Sequence, residues 1–385
     1  MSRLASWYKF TIRALKGEPE DLTKGSIRAG VLLLAIPMML EMAMESVFAV
    51  VDLYFVGHLE HSSFAVQTVG LTESVLAFVY SIAMGLSMAT TAIVARRIGE
   101  NEPEKASRSG IQALFIGMGV NLFIAIPGII YAEEILMLMG SSATSAAYGK
   151  TFTQIMMGST FIIMLLFLIN AIFRGAGNAA MAMKSLWISS IANIILCPIL
   201  INGFGPVPAF GLVGAALATT IGRSFGVVYQ FWHLFNGKHH IRVVLSYFKP
   251  DFAQIKALVL VAYPAVFQFA IASCSWTFLA NLVATTGGDE GSAGYQTAMR
   301  LMMFFMLPAW GLSGAAATLV GQNLGAKQVE RAERSVYVTA KFNLIYMGAV
   351  MLISMLLAPT LAHFFSNDSR VQEISIQAMR IMASG

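Results

Sequence analysis

Charge is what this sequence holds least of. Asp, Glu, Lys and Arg make up 12% of its 385 residues, against about 25% in an ordinary soluble domain, which excludes a water-soluble globular protein. Cysteine is scarcer still. Cys197 and Cys274 both fall inside apolar runs, so neither a disulfide framework nor a zinc site is supported. Histidine offers no pair at metal-ligand spacing, His239 and His240 stand together in a polar stretch, and no Ser/His/Asp set accompanies them. The reading is therefore not an enzyme. No cleavable leader is expected either, because residues 1–29 carry Arg3, Lys9, Arg13, Lys16, Lys24 and Arg28 without a short apolar core and a small-residue cleavage site.

What the chain has in abundance is hydrophobic length. Residues of apolar type make up 57%, and stretches near the ~20 residues that cross a bilayer recur throughout. They read as spans 31–57, 65–95, 110–132, 152–173, 185–203, 211–235, 257–285, 292–320 and 336–361, with a tenth beginning near 372. Lys and Arg alternate in density between them: six in the N-terminal arm, four in 96–108, two in 174–184, four in 236–256 and three in 321–335, against only Lys150 and Arg370 on the opposite side. That asymmetry follows the positive-inside rule and predicts a multi-pass protein of the cytoplasmic (inner) membrane with its N-terminus in the cytoplasm. The net charge of +5 is thus topological, and nucleic-acid binding is not expected. In the arm, Leu4, Trp7, Tyr8, Thr11 and Leu15 share one helical face opposite Lys9, Arg13 and Lys16, as in a helix lying in the membrane interface. A disordered basic leader is the alternative.

An internal repeat organises the spans. "GLSMATTAIVARRIGENEPEKASRS" (85–109) and "GLSGAAATLVGQNLGAKQVERAERS" (311–335) align without gaps, 226 residues apart, and agree at 10 of 25 positions, among them Gly85/Gly311, Gly99/Gly325 and Arg108/Arg334. Pro37 and Pro264 open the preceding spans in nearly the same register. A period of six spans is even, so the copies are parallel, related by a pseudo-two-fold along the membrane normal. The expected fold is an all-α integral membrane protein of two six-helix repeats around a central cleft, an architecture for alternating access. Its parts are a cytoplasmic amphipathic arm (1–29), an N-lobe of spans 1–6 (30–237), a cytoplasmic inter-lobe linker (238–256) and a C-lobe of spans 7–10 (257–385). The second repeat reads as truncated in span 10, about 14 residues into a helix that needs about 20.

These elements resemble the multidrug and toxic compound extrusion (MATE) family. The likeness is carried in order by "IPMMLEMAMESVFAVVDLYFVGHL", "GLSMATTAIVARRIGE", "AIFRGAGNAAMAMK", "NIILCPILI", "GLVGAALATTIGR" and "LPAWGLSGAAATLVGQNLGAKQVERAERS". Within the family it looks closest to the bacterial and archaeal branch with a coupling site in the N-lobe. The resemblance implies an antiporter that exports cationic or amphipathic organic compounds, driven by H+ or Na+, with no other cofactor, working as a monomer in the bilayer.

The residues themselves point to where coupling would occur. Glu41, Glu45 and Asp52 stand at i, i+4 and i+11, within about 40° of arc on the first helix. Each charge at mid-membrane costs about 2.5–3.5 kcal/mol on insertion scales, so the stripe is expected to face a wet cavity between helices. An acid that takes up a proton when sealed and releases it when wet can drive a conformational change; the alternative is a set of polar contacts binding span 1 to a neighbour. The resemblance adds Asn193 and Thr219 as partners of Asp52, while Cys197 stands where the family often has an aspartate. A thiol replaces a hard oxygen poorly for Na+, so protons are favoured over a possible Na+ site at Asp52 and Asn193, unless Glu45 or Glu73 supplies the oxygen. Span 7 has no acid, and the repeat places Gln268 opposite Glu41 and Leu279 opposite Asp52. Arg223, Arg300 and Lys341 lie within spans, either pairing with membrane acids or snorkelling. The 24 methionines are read mainly as helix packing, with a pliable substrate wall as the alternative. A flippase for a lipid-linked saccharide is the rival function, because that superfamily shares the plan but tends to line its cleft with cations.

Overall fold

Helix boundaries fall where the sequence supplies caps and breakers. Ser142 accepts a hydrogen bond from Ser145 N, Asn178 from Met181 N, and Asp251 from the backbone N–H groups of Ala253 and Gln254, each satisfying a donor that a first helical turn leaves free. The computed structural model describes residues 3–18, 20–57, 59, 62–236, 241, 243–365 and 369–384. Helices make up 89% of it, and among the described residues there is no strand. In order they are α1 (Arg3–Lys16), α2 (Ile27–Gly57), α3 (Ser62–Gly99), α4 (Pro103–Ile130), the short α5 (Ala132–Leu138), α6 (Ala143–Gly175), α7 (Ala179–Asn202), α8 (Leu212–Asn236), α9 (Phe252–Gly325), α10 (Val329–Phe365) and α11 (Ser369–Ser384). α9 is two arms joined at Gly288, whose φ of 62° and ψ of −160° only glycine adopts readily. With the arms counted separately, nine stretches among the described residues are long and apolar enough to span a bilayer. They coincide with the first nine spans read from hydropathy.

One expectation needs correcting. Arg174 and Lys184 are not loop cations: α6 runs to Gly175 and α7 starts at Ala179. The turn between them is three residues long, with Gly177 at φ 85°.

In the N-lobe, α6 is the central post, with 72% of its apolar span buried. Glycines let its neighbours close in: on α4, Gly110, Gly117 and Gly128 face Ile172, Leu168 and Met157 of α6, and on α8, Gly214, Gly222 and Gly226 face the α7 backbone at Leu200, Ser189 and Ser185. Without a hydrophobic drive between helices in lipid, this backbone proximity is what packs them. α1 docks by Phe10 and Ala14, and Trp7 and Tyr8 remain exposed on the face predicted to meet the interface.

The two lobes meet about a visible pseudo-two-fold. A Cβ at Gly321 would touch Ala95 Cβ, its own repeat equivalent, so this position lies on the axis. On either side, Gly99 abuts the Gln322 carbonyl and Gly325 abuts the Arg96 carbonyl, the same contact made twice. Further out, Gly85 meets Val266, and Gly311 meets Met38 and Met39. The glycines that matched in sequence are those where the repeats touch.

Each lobe also grips the segment that leads into the other. Arg331 of α10 donates to the carbonyls of Leu22 (3.3 Å), Lys24 (2.8 Å) and Gly25 (3.0 Å), just before α2. Reciprocally, Gln112 of α4 donates to the Lys249 carbonyl and accepts from Asp251 N, both at 2.9 Å, just before α9. These straps and the contacts at Gly99 and Gly325 lie at the arginine-rich end of the bundle, where the two lobes touch.

Candidate functional site

α2 is the helix on which the predicted acids are strung, and it packs against α9 and α7. Glu41 lies on its inner side at 2% exposure, which differs from the wet environment expected for the stripe. α6 reaches it instead: Glu41 Oε1 lies 3.4 Å from Asn170 Nδ2 and 3.5 Å from Arg174. Glu41 Oε2 is buried and has no hydrogen-bond partner. One turn on, Glu45 is about one-third exposed and stands 3.9 Å from Arg223 of α8. Arg223 in turn donates to Tyr80 Oη at 2.8 Å and lies over the rings of Phe48 and Tyr80. Asp52 is on the same helix two turns further, but its side chain lies outside the described residues, as do His239 and His240.

Behind Glu41 is a polar network that sequence reasoning missed. Asn170 Oδ1 accepts from Gln230 Nε2 at 2.6 Å and from Ser185 Oγ at 2.9 Å, joining α6, α8 and α7. Gln230 and Ser185 are fully buried, and Asn170 nearly so. The one signal available beforehand was "LINAIFRG", which sets Asn170 and Arg174 one turn apart at the end of an apolar helix. The sequence could not show that Arg174 turns inward rather than to a loop.

The second predicted cluster is partly assembled. Asn193 Nδ2 donates to Thr219 Oγ1 at 3.0 Å, and Asn193 Oδ1 is buried without a donor. The close approach of α8 at Gly222, against Asn193 Cβ, holds them together. Cys197, one turn along α7, is fully buried. Glu73 is exposed on α3, and Gln268 is exposed on the first arm of α9. Neither of those two is hydrogen-bonded to Glu41, Glu45, Asn193 or Thr219 among the described residues. Arg300 and Lys341 are exposed too.

The last turn of α6 carries a further set of contacts. Its carbonyls accept from the C-lobe: Arg174 O from Thr318 Oγ1 at 3.1 Å, and Gly175 O from Gln322 Nε2 at 3.0 Å. The arginine whose side chain meets Glu41 thus has its own backbone at the inter-lobe contact. A cavity of about 420 Å³ opens beside it, lined by Glu20, Asp21, Ile98, Asn101 and Gln322. Glu20 and Asp21 are paired with Arg13 and Lys24, so they present no uncompensated charge there.

Comparison with known proteins agrees with this fold. The profile of a family described as MatE matches residues 37–199 and 264–385. The multidrug export protein MepA of Staphylococcus aureus is 22% identical over 355 residues, spanning 91% of this chain and 76% of that protein. The probable multidrug resistance protein NorM of Thermotoga maritima is 25% identical over 363 residues, spanning 92% and 76%. A solved multidrug resistance MATE family transporter of the MOP superfamily, in an outward-facing conformation, superposes with a TM-score of 0.87 at 26% identity, over 94% of this chain and 80% of that one.

Proposed function

The chain belongs to the MatE family of multi-pass membrane transporters, which are not enzymes, and from that premise we propose that it is a secondary active antiporter exporting cationic and amphipathic organic compounds. Transport runs by alternating access between the two lobes, in the cytoplasmic membrane, with the N-terminus and the arginine-rich end facing the cytoplasm. Protons are the coupling ion, loaded on the N-lobe carboxylates. Asp52 is the central group, Glu45 and Glu41 assist it, and Asn193 and Thr219 polarise it.

The observation that carries this reading is that two of the buried, unpartnered acceptors in the N-lobe, Glu41 Oε2 and Asn193 Oδ1, belong to the groups named here. A buried acceptor without a donor costs about 1–3 kcal/mol; a proton taken up on Glu41 offsets that cost at the carboxylate, and a protonated carboxyl beside Asn193 would supply the donor that its amide oxygen lacks. Proton coupling is supported over Na+ by Cys197 at the position where a hard oxygen would serve the metal.

Ethidium or norfloxacin efflux from energised vesicles in sodium-free buffer tests the reading. Efflux is expected with a pH gradient and not without one, and Asp52→Asn is expected to abolish it at unchanged protein level. Efflux driven by a sodium gradient alone would replace the proton, and full efflux by the variant would remove Asp52 from the centre.

The rival function, flipping of a lipid-linked saccharide, gains one specific observation. Arg174 and Arg223 offset Glu41 and Glu45, so this part of the N-lobe is less acidic than the stripe by itself suggested. Turnover of a lipid-linked sugar without dye efflux would decide for it.

A further inference from the structure

Arg174 touches both halves of the transport problem. Its guanidinium faces Glu41 Oε1 at 3.5 Å and Ser87 Oγ at 3.5 Å, inside the N-lobe. Its carbonyl accepts Thr318 of the C-lobe, and the next carbonyl accepts Gln322. Gln322 also supplies the carbonyl that Gly99 abuts beside the pseudo-two-fold. Opening the arginine-rich end requires these contacts to part.

The charges that act on Glu41 are few. They are Arg174 of α6 and Glu45 on its own helix. Among the described cations on the other elements packed against α2, Arg223 of α8 is engaged with Glu45 and Tyr80, Lys184 of α7 with the Lys16 carbonyl, Arg96 and Arg97 of α3 with Glu100, Arg13 of α1 with Glu18 and Glu20, and Arg331 of α10 with the carbonyls of Leu22, Lys24 and Gly25. Lys9 and Lys16 of α1, Lys256 and Arg300 of α9, and Arg334 and Lys341 of α10 are exposed. Arg174 is therefore the cation that registers whether Glu41 is charged.

We propose that Arg174 is a positioning residue that ties the proton load of Glu41 to closure of the arginine-rich end. With Glu41 ionised, the guanidinium is held inward, and the last turn of α6 presents the carbonyls of Arg174 and Gly175 to Thr318 and Gln322. A proton arriving from the open end of the acid stripe, by way of Glu45 one turn away, neutralises Glu41. Arg174 then loses its anionic partner, the last turn of α6 shifts, and the two carbonyls no longer meet their donors. The lobes part at this end. Proton loading thus favours opening on the side opposite to proton arrival, the order an antiporter needs. This rests on the proton-antiport reading above.

The test uses the full chain with Leu319→Cys as reporter, a residue at 1% exposure packed beside Gly30 across the lobe contact. Cys197→Ala and Cys274→Ala remove the two native thiols. Purified protein is treated with a maleimide across a pH series, and each rate is normalised to an exposed cysteine at the same pH. Labelling is expected to rise about fivefold or more on acidification, the size of an ordinary coupling between sites. Glu41→Gln, which mimics the protonated acid, is expected to label fast at every pH. Arg174→Gln is expected to do the same, while Arg174→Lys keeps part of the pH response. Thr318→Val loosens the contact but leaves the pH response in place, which separates linkage from plain destabilisation.

A pH response that persists unchanged in Glu41→Gln overturns the proposal, and so does a reporter with no pH response when the pair is intact. That second outcome depends on no substitution at the pair. The functional reading stands or falls separately. Efflux without a pH gradient would sink proton coupling even if Glu41→Gln opens this end, whereas gradient-driven efflux with an unresponsive reporter would sink only the role of Arg174.

Discussion

The two lobes share a repeat and differ inside it. At their contact they are nearly interchangeable: Gly99 on Gln322 mirrors Gly325 on Arg96, and Ala95 meets Gly321 on the axis. Away from the contact the likeness ends. The N-lobe wraps α6 and buries a network of Asn170, Ser185 and Gln230 behind Glu41. The first arm of α9 has only 11% of its apolar span buried, and Gln268 stands there at the place the repeat assigns to Glu41. In the proposed antiport, the pseudo-symmetric contact serves the motion of both lobes and the asymmetric interior of one serves the coupling.

The most damaging way to break the symmetric part is a methyl group at either matched glycine. Gly99→Ala and Gly325→Ala each drive a Cβ into a backbone carbonyl of the other lobe, which cannot rotate away. Overpacking of this kind costs about 1–3 kcal/mol, and 1.4 kcal/mol is tenfold in an equilibrium. Efflux is expected to fall by about tenfold or more, and by similar factors for the two variants. Unequal losses would show that the closed end is not the symmetric element described here.

The asymmetric part is probed by an asparagine in each lobe. Asn170→Ala leaves Gln230 and Ser185 without their buried acceptor and is expected to cost about 1–2 kcal/mol, less than a full desolvation penalty because a membrane-unfolded chain finds other partners. Asn343→Ala removes a 3.4 Å hydrogen bond to the exposed Ser313 together with a buried acceptor that has no donor, and is expected to stay within about 0.5 kcal/mol. Thermal unfolding in detergent compares them directly.

The straps should give smaller effects of matched size. Arg331→Ala removes three hydrogen bonds to carbonyls before α2, and Gln112→Ala removes two at the segment before α9. At about 1 kcal/mol net for each substitution, each is expected to raise labelling at Leu319→Cys by a few-fold. A response to one and not the other would reduce the reciprocal grip to a single latch.

The smallest expected effect separates the two lead-in segments. Asp21, before α2, has its carboxyl lowered from 3.8 to about 2, first by the Thr23 hydroxyl and then by Lys24. A depressed native value stabilises the fold above the unfolded value, near pH 4, and that contribution fades as pH falls toward 2. The side chain is half exposed, so solvent screening keeps it below about 1 kcal/mol. Asp251, before α9, is lowered by the N–H groups of its own helix cap, Gln254 foremost. Asp21→Asn is expected to flatten part of the acid slope of the melting curve between pH 4 and 2 without altering efflux at neutral pH.

Much of the fold was legible because hydropathy and a repeat are local patterns. The nine spans and the matched glycines of the repeat could be read along the chain, whereas the turn at Gly177 was hidden in a longer stretch, 174–184, read as lying between spans. Asn193 and Thr219 were named together in advance only through a family resemblance; they lie 3.0 Å apart. Arg174 was misread for a physical reason. Hydrophobicity ends just before it, and a charge at the end of a span looks like a loop until a partner is known.

By itself, the sequence determined that the chain lives in a membrane, that it is built of two parallel copies, and that acids are spaced along one stripe of the first helix. Those properties depend on composition and period, which neighbours in space do not alter. Only the tertiary structure decided what the acids face. Glu41 and Arg174 are separated by 133 residues, and whether they meet depends on how α2 and α6 are packed, not on anything either helix carries alone. The same packing put the carbonyl of Arg174 against Thr318 of the other lobe.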